Sequence, residues 1–405
     1  MSDKIVVKNG LADLIAFTRL VPKRRNKIRS AAATSLPVDP VARTVEMLHP
    51  ERMYLKIKEV VQETDSTKSY TLVPDPDRGT RTLALFRAGQ YLNLRIEIGG
   101  SVVSRNYSLS STPADAEAGF YRVTVRKKET GFVTPFVFEE WKEGVALVSS
   151  GPVGDFVYEP LRDKAKVVAL AGGCGITPIL SIAKDLVERK ANCQIAVIYG
   201  VRNSADIIFR RELEELAEKN PGKVAVHYVA SEPDPGWKGK TGFITAQLIQ
   251  EITGDAEEKS FFLCGPQAMY VFLDKELEKL SLKRRQVRRE LFGEIDDPSR
   301  IPGFPKSDVA KSHTITVHMA DETLRIGASG SETVLVALER AGLAPPSRCR
   351  SGECGWCRSK LLAGDVFVIP DNDGRRMADR KFNWIHPCSS YPLSDLEMRV
   401  PRSTY

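Results

Sequence analysis

The chain has 405 residues, 42% hydrophobic and 27% charged, enough apolar material for several cores at about 100–200 residues per domain. No run approaches the roughly 18–20 uncharged apolar residues of a membrane helix. The N-terminus lacks the charged-then-apolar-then-small order of a secretory signal, so a cytoplasmic protein is expected.

The formal charge of +7 is unevenly spread: residues 1–50 hold nine Lys/Arg against four acids, leaving only +2 for everything after. Within this basic extension a short helix is expected over Leu11–Leu20, followed by irregular chain around Pro22, Pro37 and Pro40. The run Lys23-Arg24-Arg25-Asn26-Lys27-Ile28-Arg29 has the composition of a nucleic-acid patch. Nothing else in the chain supports that use, and a solvated arm that docks on an acidic partner or on the protein itself is the plainer reading.

From Met53 the pattern turns to period two. Leu55 and Ile57 alternate with lysines, Leu92, Leu94 and Ile96 with polar residues, and Val123 and Val125 with Thr124 and Arg126. Such alternation marks half-buried antiparallel strands, and several within about 100 residues suggest a small barrel or sandwich. At Lys166 the texture changes. The unbroken apolar run Val167–Ala171 reads as a strand buried on both faces. A helix over Ile179–Arg189, a strand at Ile195–Tyr199, a helix over Arg210–Lys219, a strand at Val224–Val229 and a strand–helix pair from Phe261 follow. This alternation is that of a parallel α/β sheet.

A Pro-, Gly- and Asp-rich stretch then separates off a third region, in which Ile315, Val317 and Met319 alternate and a short helix over Thr333–Ala341 precedes a group of cysteines. The expected divisions are a basic extension 1–50, a barrel 51–160, an α/β domain 161–294, a linker 295–311 and a C-terminal domain 312–405.

The seven cysteines do not have the spacing of a disulfide scaffold. Cys349, Cys354 and Cys357 are spaced C-x4-C-x2-C, and Cys388 follows 31 positions later. This is the plant-type spacing for a [2Fe–2S] cluster: a tight loop delivers three thiolates and a distant strand end the fourth. Ser351, Gly352 and Gly355 are small enough for backbone N–H groups to reach the sulfurs. Zinc is the competing metal, but it usually takes paired C-x2-C knuckles, and only one close pair exists. Cys193 and the five histidines form no constellation, and Cys193 is expected to serve packing.

The stretch Pro346–Cys357 resembles the cluster loop of plant-type ferredoxin domains, which implies a β-grasp fold for residues 312–405 and Cys349, Cys354, Cys357 and Cys388 as iron ligands. Trp356 stands where a small residue is usual, and is expected to pack over the cluster. Likewise Arg105-Asn106-Tyr107-Ser108 resembles the R-x-Y-S flavin motif of the ferredoxin–NADP⁺ reductase superfamily. An arginine there can hold a flavin phosphate bidentately, a tyrosine can stack on the ring and Ser108 can bond the ring nitrogen that receives hydride. The resemblance extends to Gly89-Gln90-Tyr91 and to Gly131–Pro135, where Thr134 would cap a helix opened by Pro135; Leu109, Val125, Gly131, Val133 and Thr134 are implied flavin neighbours. FAD is implied, with FMN as the alternative.

Ala171–Pro178 is similar to the superfamily's nicotinamide loop, with Gly172, Gly173 and Gly175 letting backbone approach phosphate and Thr177 as the expected N-cap. Cys264-Gly265-Pro266 is implied to lie beside the reacting nicotinamide carbon, and Glu290-Leu291-Phe292-Gly293 to bring Glu290 and Phe292 to the flavin. Ser108, Cys264 and Glu290 are therefore the implied catalytic residues. Arg202 suits a 2′-phosphate and Asp206 a bare ribose diol; NADH is preferred over NADPH.

The order of parts resembles the reductase components of oxygenases and the NADH-dependent reductase of hybrid-cluster protein. It implies a multi-domain α+β and α/β protein: an antiparallel flavin-binding β-barrel, a parallel α/β nicotinamide-binding domain and a β-grasp ferredoxin domain. Its implied activity is an oxidoreductase that takes hydride from NADH or NADPH onto FAD and delivers single electrons through the [2Fe–2S] cluster to an acceptor protein of oxygenase, hybrid-cluster, corrinoid or demethylase type. Arg348 and Arg350 are expected to steer an acidic acceptor. Two other readings stay open: a non-catalytic electron-relay subunit of a larger complex, and a nucleic-acid-binding module built on the basic extension.

Overall fold

The computed structural model of the chain describes residues 10–31, 39–291, 297–370 and 373–402. Residues 1–47 form a unit of their own, holding α1 (Gly10–Arg29) and most of α2 (Pro40–Leu48). The helix expected to end near Leu20 continues through Pro22 to Arg29. Proline removes one backbone hydrogen bond and crowds the preceding turn. Every residue of α1 is exposed, so the carbonyl it leaves unbonded can meet water.

The remaining chain, from Leu48 on, begins with an antiparallel sheet. Its strands are β1 (Met53–Thr64), β2 (Thr67–Pro74), β3 (Tyr91–Ile98), β4 (Ser101–Ser108), β5 (Tyr121–Arg126) and β6 (Ala146–Ser149), with the short helices α3 (Pro113–Glu117) and α4 (Thr134–Glu140) between them. The order across the sheet is β4-β3-β6-β1-β2-β5. The alternating apolar residues close inward into one core that includes Leu55, Ile57, Leu92, Leu94, Val123 and Val125.

The second sheet contains β7 (Lys166–Gly172), β8 (Gln194–Val201), β9 (Val224–Ala230), β10 (Lys240–Thr241), β11 (Lys259–Cys264) and β12 (Val287–Glu290), with α5 (Ile176–Glu188), α6 (Arg210–Lys219), α7 (Ala246–Thr253) and α8 (Gln267–Lys279) as connections. All its pairings are parallel, in the order β10-β9-β8-β7-β11-β12. Helix α7 was not expected from the sequence; its start is marked by Thr245, whose side chain accepts from the Leu248 N–H at 3.2 Å, an N-cap in a segment too short to show periodicity. Because β7 is followed on one side by β8 and flanked on the other by β11, the chain reverses direction of winding there. The carboxyl ends of these two strands open a crevice, the usual ligand position in such sheets.

The third region has β13 (Ser312–Met319), β14 (Glu322–Ser329), α9 (Val334–Arg340), β15 (Ser359–Ala363), β16 (Val366–Val368), α10 (Met377–Lys381), β17 (Trp384–Ile385), β18 (Ser390–Pro392) and β19 (Leu396–Arg399). Its main sheet runs β14-β13-β19-β15-β17, with β13 and β19 parallel. Helix α9 is capped by Thr333 through the Val336 N–H at 3.3 Å and packs Val334, Ala337 and Leu338 into the core beneath the sheet. The stretch before it does not hang free: Ile301 and Phe304 bury against Ile369 and Tyr391, with the Phe304 ring edge-on to Phe367 at 5.1 Å and to Tyr391 at 5.6 Å.

Candidate functional site

Strand pairing brings the first set of expected residues together. Tyr91 opens β3 directly opposite Ser108 at the end of β4. The Tyr107 hydroxyl and the Ser108 Oγ are buried yet have no hydrogen-bond partner among the described residues. Leaving such groups unpaired costs on the order of 1–3 kcal/mol each, so their environment suits a bound polar ligand. Burial pushes the Tyr107 hydroxyl pKa up, leaving it a neutral donor. Leu109, Val125 and Val133 face the barrel core, so only their main chains are open to a ligand.

Two expected caps are corrected. Helix α4 is entered through Val133 without a side-chain cap; the Thr134 Oγ1 instead accepts from the Lys128 N–H at 2.9 Å, and so holds the Gly131 turn shut. Helix α5 begins at Ile176, placing Thr177 inside it, where its hydroxyl donates to the Cys174 carbonyl at 2.6 Å. In both places the helix starts earlier than the proline suggested, because the residue before it, Val133 at α4 and Gly175 at α5, already has right-handed helical dihedrals.

The crevice of the parallel sheet is lined by two glycine turns that touch. A Cβ on Gly175 would lie 2.7 Å from the Gly265 nitrogen, and one on Gly172 would lie 3.0 Å from Pro266 Cδ. Gly173 takes a positive φ of 51°, the left-handed region that glycine enters without strain. Cys264 is completely buried and stands opposite Glu290 in the β11–β12 register. Tyr270, overlooked in the sequence, ties these strand ends together: its hydroxyl lies 3.1 Å from the Leu263 carbonyl and 2.5 Å from that of Glu290. Burial first, then the nearby Glu290 and Cys174, pushes the Cys264 thiol pKa well up. Burial, with Glu353, Cys349 and Asp155 nearby, does the same to the Glu290 carboxyl. Phe292 lies outside the described residues.

Arg126 was another omission. It bridges barrel and α/β domain through Asp206 at 3.1 Å, and Arg202 reaches the other oxygen of Asp206 at 3.3 Å. A second bridge joins Arg122 to Glu212 at 2.8 and 3.0 Å. Although burial pushes the Glu212 carboxyl up, Arg122 and Lys184 bring its pKa down to about 2.

The four clustered cysteines converge. Cys357 and Cys388 sulfurs are 3.4 Å apart, and the Cys349 thiol is held far below its ordinary range by hydrogen bonds from the Cys354 and Cys388 thiols. Backbone N–H groups of Ser351 and Cys354 donate to the Cys349 Sγ at 3.5 and 3.4 Å, and that of Trp356 to the Cys354 Sγ at 3.4 Å. Four thiols ringed by amide donors are a donor set fit for an iron–sulfur cluster. His386 adds a support the sequence did not reveal: its Nδ1 lies 2.6 Å from the Gly352 carbonyl oxygen, which makes Nδ1 the protonated nitrogen.

Arg350 does not face a partner. It is 2% exposed, adopts a positive φ of 57° and is paired bidentately with Glu339 of α9 at 2.6 and 2.9 Å. Removing one member of such a buried pair costs about 3–5 kcal/mol. Trp356 is covered by the Arg348 guanidinium, 3.5 Å from its ring centroid, so it packs against that arginine. Arg105 turns toward α9, with Nη1 2.7 Å from the Ser104 carbonyl and 3.5 Å from Glu339.

One cleft of about 1430 Å³ is walled by Tyr91 at the start of β3, by Glu290 at the end of β12 and by Arg348, Cys349 and Glu353 of the cysteine loop. A cleft that joins a barrel strand, the end of β12 and a thiolate loop can bring a flavin and a metal cluster within reach of one another.

Known proteins share this arrangement. The oxidoreductase FAD-binding domain family matches residues 54–158, the oxidoreductase NAD-binding domain family residues 169–275 and the 2Fe-2S iron-sulfur cluster binding domain family residues 317–393. The glycine betaine monooxygenase reductase subunit of Chromohalobacter salexigens is 30% identical over 85% of this chain and 94% of its own. The 3-ketosteroid-9-alpha-monooxygenase ferredoxin reductase component of Mycobacterium tuberculosis is 31% identical over 86% of this chain and 96% of its own. The solved structure of phthalate dioxygenase reductase has the same fold, with a TM-score of 0.62 and 22% identity over 86% of this chain and 98% of that one. The chain belongs to the family of oxygenase reductase components that carry FAD and a [2Fe–2S] cluster and pass electrons from NAD(P)H to an acceptor protein.

Proposed function

We propose that this reductase takes its electrons from NADH at the crevice between β7 and β11 and releases them singly through the Cys349, Cys354, Cys357 and Cys388 site to an oxygenase. The observation that carries this reading is the cleft shared by Tyr91, the register partner of Ser108, by Glu290, the register partner of Cys264, and by the cysteine loop. Bound FAD accepts a two-electron hydride and gives electrons up one at a time, which the cluster takes singly.

The chain's own residues orient and insulate. Tyr107 would lie on the flavin ring and Ser108 would hydrogen-bond it, satisfying two buried polar atoms that otherwise have no partner. Gly131 and Thr134 are assigned to the flavin phosphate side, which Arg105 would reach only by releasing Glu339, 3.5 Å from its Nη1. Gly172, Gly173 and Gly175, with Thr177, Gly265 and Pro266, allow the nicotinamide nucleotide to approach main chain closely. Cys264, neutral and buried, packs beside the reacting carbon, and the uncharged Glu290 holds a proton at the flavin edge without placing a second negative charge there. Because Asp206 already engages Arg202 at 3.3 Å, that arginine is not offered to a 2′-phosphate, which supports NADH. The divisions 51–160, 161–294 and 312–405 are proposed on the three sheets. Cys174, Cys193 and Cys264, outside the cluster set, are free thiols, in keeping with a reducing compartment, and we place the protein in the cytoplasm. Among the described residues no helix is long and apolar enough to cross a membrane.

Anaerobic stopped-flow mixing of the purified protein with NADH tests the reading. The flavin band is expected to bleach first and the iron–sulfur band to follow. Failure of NADH to bleach the flavin of the isolated chain would favour the relay-subunit alternative.

A further inference from the structure

The strand that presents Tyr107 and Ser108 is also the strand that grips the cysteine loop. Asn106, between Arg105 and Tyr107, points away from the Tyr107 side of the strand and donates from its Nδ2 to the carbonyl of Cys349 at 2.9 Å. Its Oδ1 accepts from Asn93 Nδ2 at 2.7 Å, and the same Asn93 amide reaches the Arg348 carbonyl at 3.2 Å. These two asparagines face each other in the β3–β4 register. Two residues back along β4, the Ser104 hydroxyl bonds that of Ser347. Glu339 completes the attachment, since it accepts from the Ser104 N–H at 3.4 Å, lies 3.5 Å from Arg105 and holds Arg350 bidentately. Three consecutive loop residues, Ser347 to Cys349, are thus fastened to the β3–β4 pair, Arg350 is held beside them by Glu339, and Cys349 is an expected cluster ligand.

We propose that Asn106, supported by Asn93 and Glu339, is the positioning device that sets the separation of flavin and cluster in this reductase. The inference rests on the assignment of Tyr107 and Ser108 to the flavin and of Cys349 to the cluster. The physical reason is the shortness of the path. The side chain beside the flavin, Tyr107, and the amide that holds the main chain of the cluster ligand, Asn106, belong to consecutive residues. The two side-chain amides are bonded to each other and to two successive loop carbonyls, so the loop is held at two adjacent points. Interior electron transfer moves one electron from reduced flavin to the oxidised cluster with no bond made or broken. Its rate therefore falls with separation, so a loop that sits further from the flavin slows this step. Asn106 touches neither group's reacting atoms and is a positioning residue, not a catalytic one.

The test uses the holoprotein and the variant Asn106→Asp, which keeps the shape but cannot donate to the Cys349 carbonyl. Flavin and iron content and the rate of flavin bleaching by NADH should match the unsubstituted protein. Reduction of the cluster should slow severalfold, and amide hydrogen exchange across Ser347–Ser351 should accelerate. Asn106→Gln, which restores a donor, should recover part of both effects. Should Asn106→Asp fail to hold its cluster, Asn93→Ala, which removes only the bond to the Arg348 carbonyl and the support of Asn106, carries the same test with a smaller effect. Cluster reduction and loop exchange both unchanged in a fully loaded variant would overturn the proposal. The parent assignment fails separately: if Tyr107→Ala binds FAD as tightly as the unsubstituted protein, the flavin site is elsewhere; if it loses FAD while Asn106→Asp is silent, only the positioning role is wrong.

Discussion

Cys264 and Glu290 stand side by side at the carboxyl ends of adjacent parallel strands, 26 positions apart in sequence and paired in register. Both are acids kept protonated by burial. Glu290 lines the cleft that Tyr91 and the cysteine loop share, and Cys264 lies fully buried beside it in register. A site that receives hydride benefits from neutral walls, because charge there would have to be desolvated along with the nucleotide.

The raised carboxyl pKa of Glu290 has a measurable consequence for stability. A group whose folded-state pKa lies above its ordinary value of 4.5 costs nothing while protonated in both states. It destabilises the fold increasingly as pH rises from that value toward the raised one. Glu290→Gln should therefore gain thermal stability relative to the unsubstituted protein as pH increases, with no gap at acid pH and a growing one across the window that opens above the ordinary value of 4.5. A gap that is constant or shrinks across that window contradicts the assignment.

Cys354→Ser removes one of the four thiols while leaving the flavin and nicotinamide regions untouched. NADH-driven reduction of a two-electron dye should persist, and reduction of cytochrome c, a one-electron acceptor, should fall to background. Unchanged cytochrome c reduction would show that electrons leave by another route.

Asp206 is held by Arg126 at 3.1 Å and by Arg202 at 3.3 Å. Asp206→Asn leaves Arg202 free to pair with a 2′-phosphate, a charge-assisted contact. The ratio of kcat/KM for NADPH over NADH should rise on the order of tenfold. Steady-state kinetics with both nucleotides decide it, and a ratio that stays the same or falls removes Arg202 and Asp206 from cofactor choice.

A methyl group on Gly175 would run into the main chain of Cys264 and Gly265. Gly175→Ala should force the two glycine turns apart, cost roughly 1–3 kcal/mol of stability and raise KM for NADH while flavin content is kept. Denaturant unfolding together with the KM measurement checks both parts. A variant with normal KM and stability would mean that the turns are not in close contact.

The sequence by itself determined the succession of an antiparallel, a parallel and a mixed sheet. Period-two alternation at Leu92–Ile96, the unbroken run Val167–Ala171 and renewed alternation at Ile315–Met319 encode local burial, which does not depend on neighbours far along the chain. The spacing of Cys349, Cys354 and Cys357 and the glycines after β7 were equally legible, because each motif serves one turn of chain. Tertiary structure alone decided how these parts join. Arg350 and Arg348 look identical as sequence, yet one is sealed against Glu339 and the other covers Trp356. Asn93, Asn106 and Glu339 carry no periodic signal and meet the cysteine loop from up to 255 positions away. Even the caps were misjudged, since Thr134 and Thr177 bond backward into their own turns. Local patterns report whether a residue is buried; which residue it is buried against is set by the packing of whole domains, and a single chain's periodicity contains no term for that.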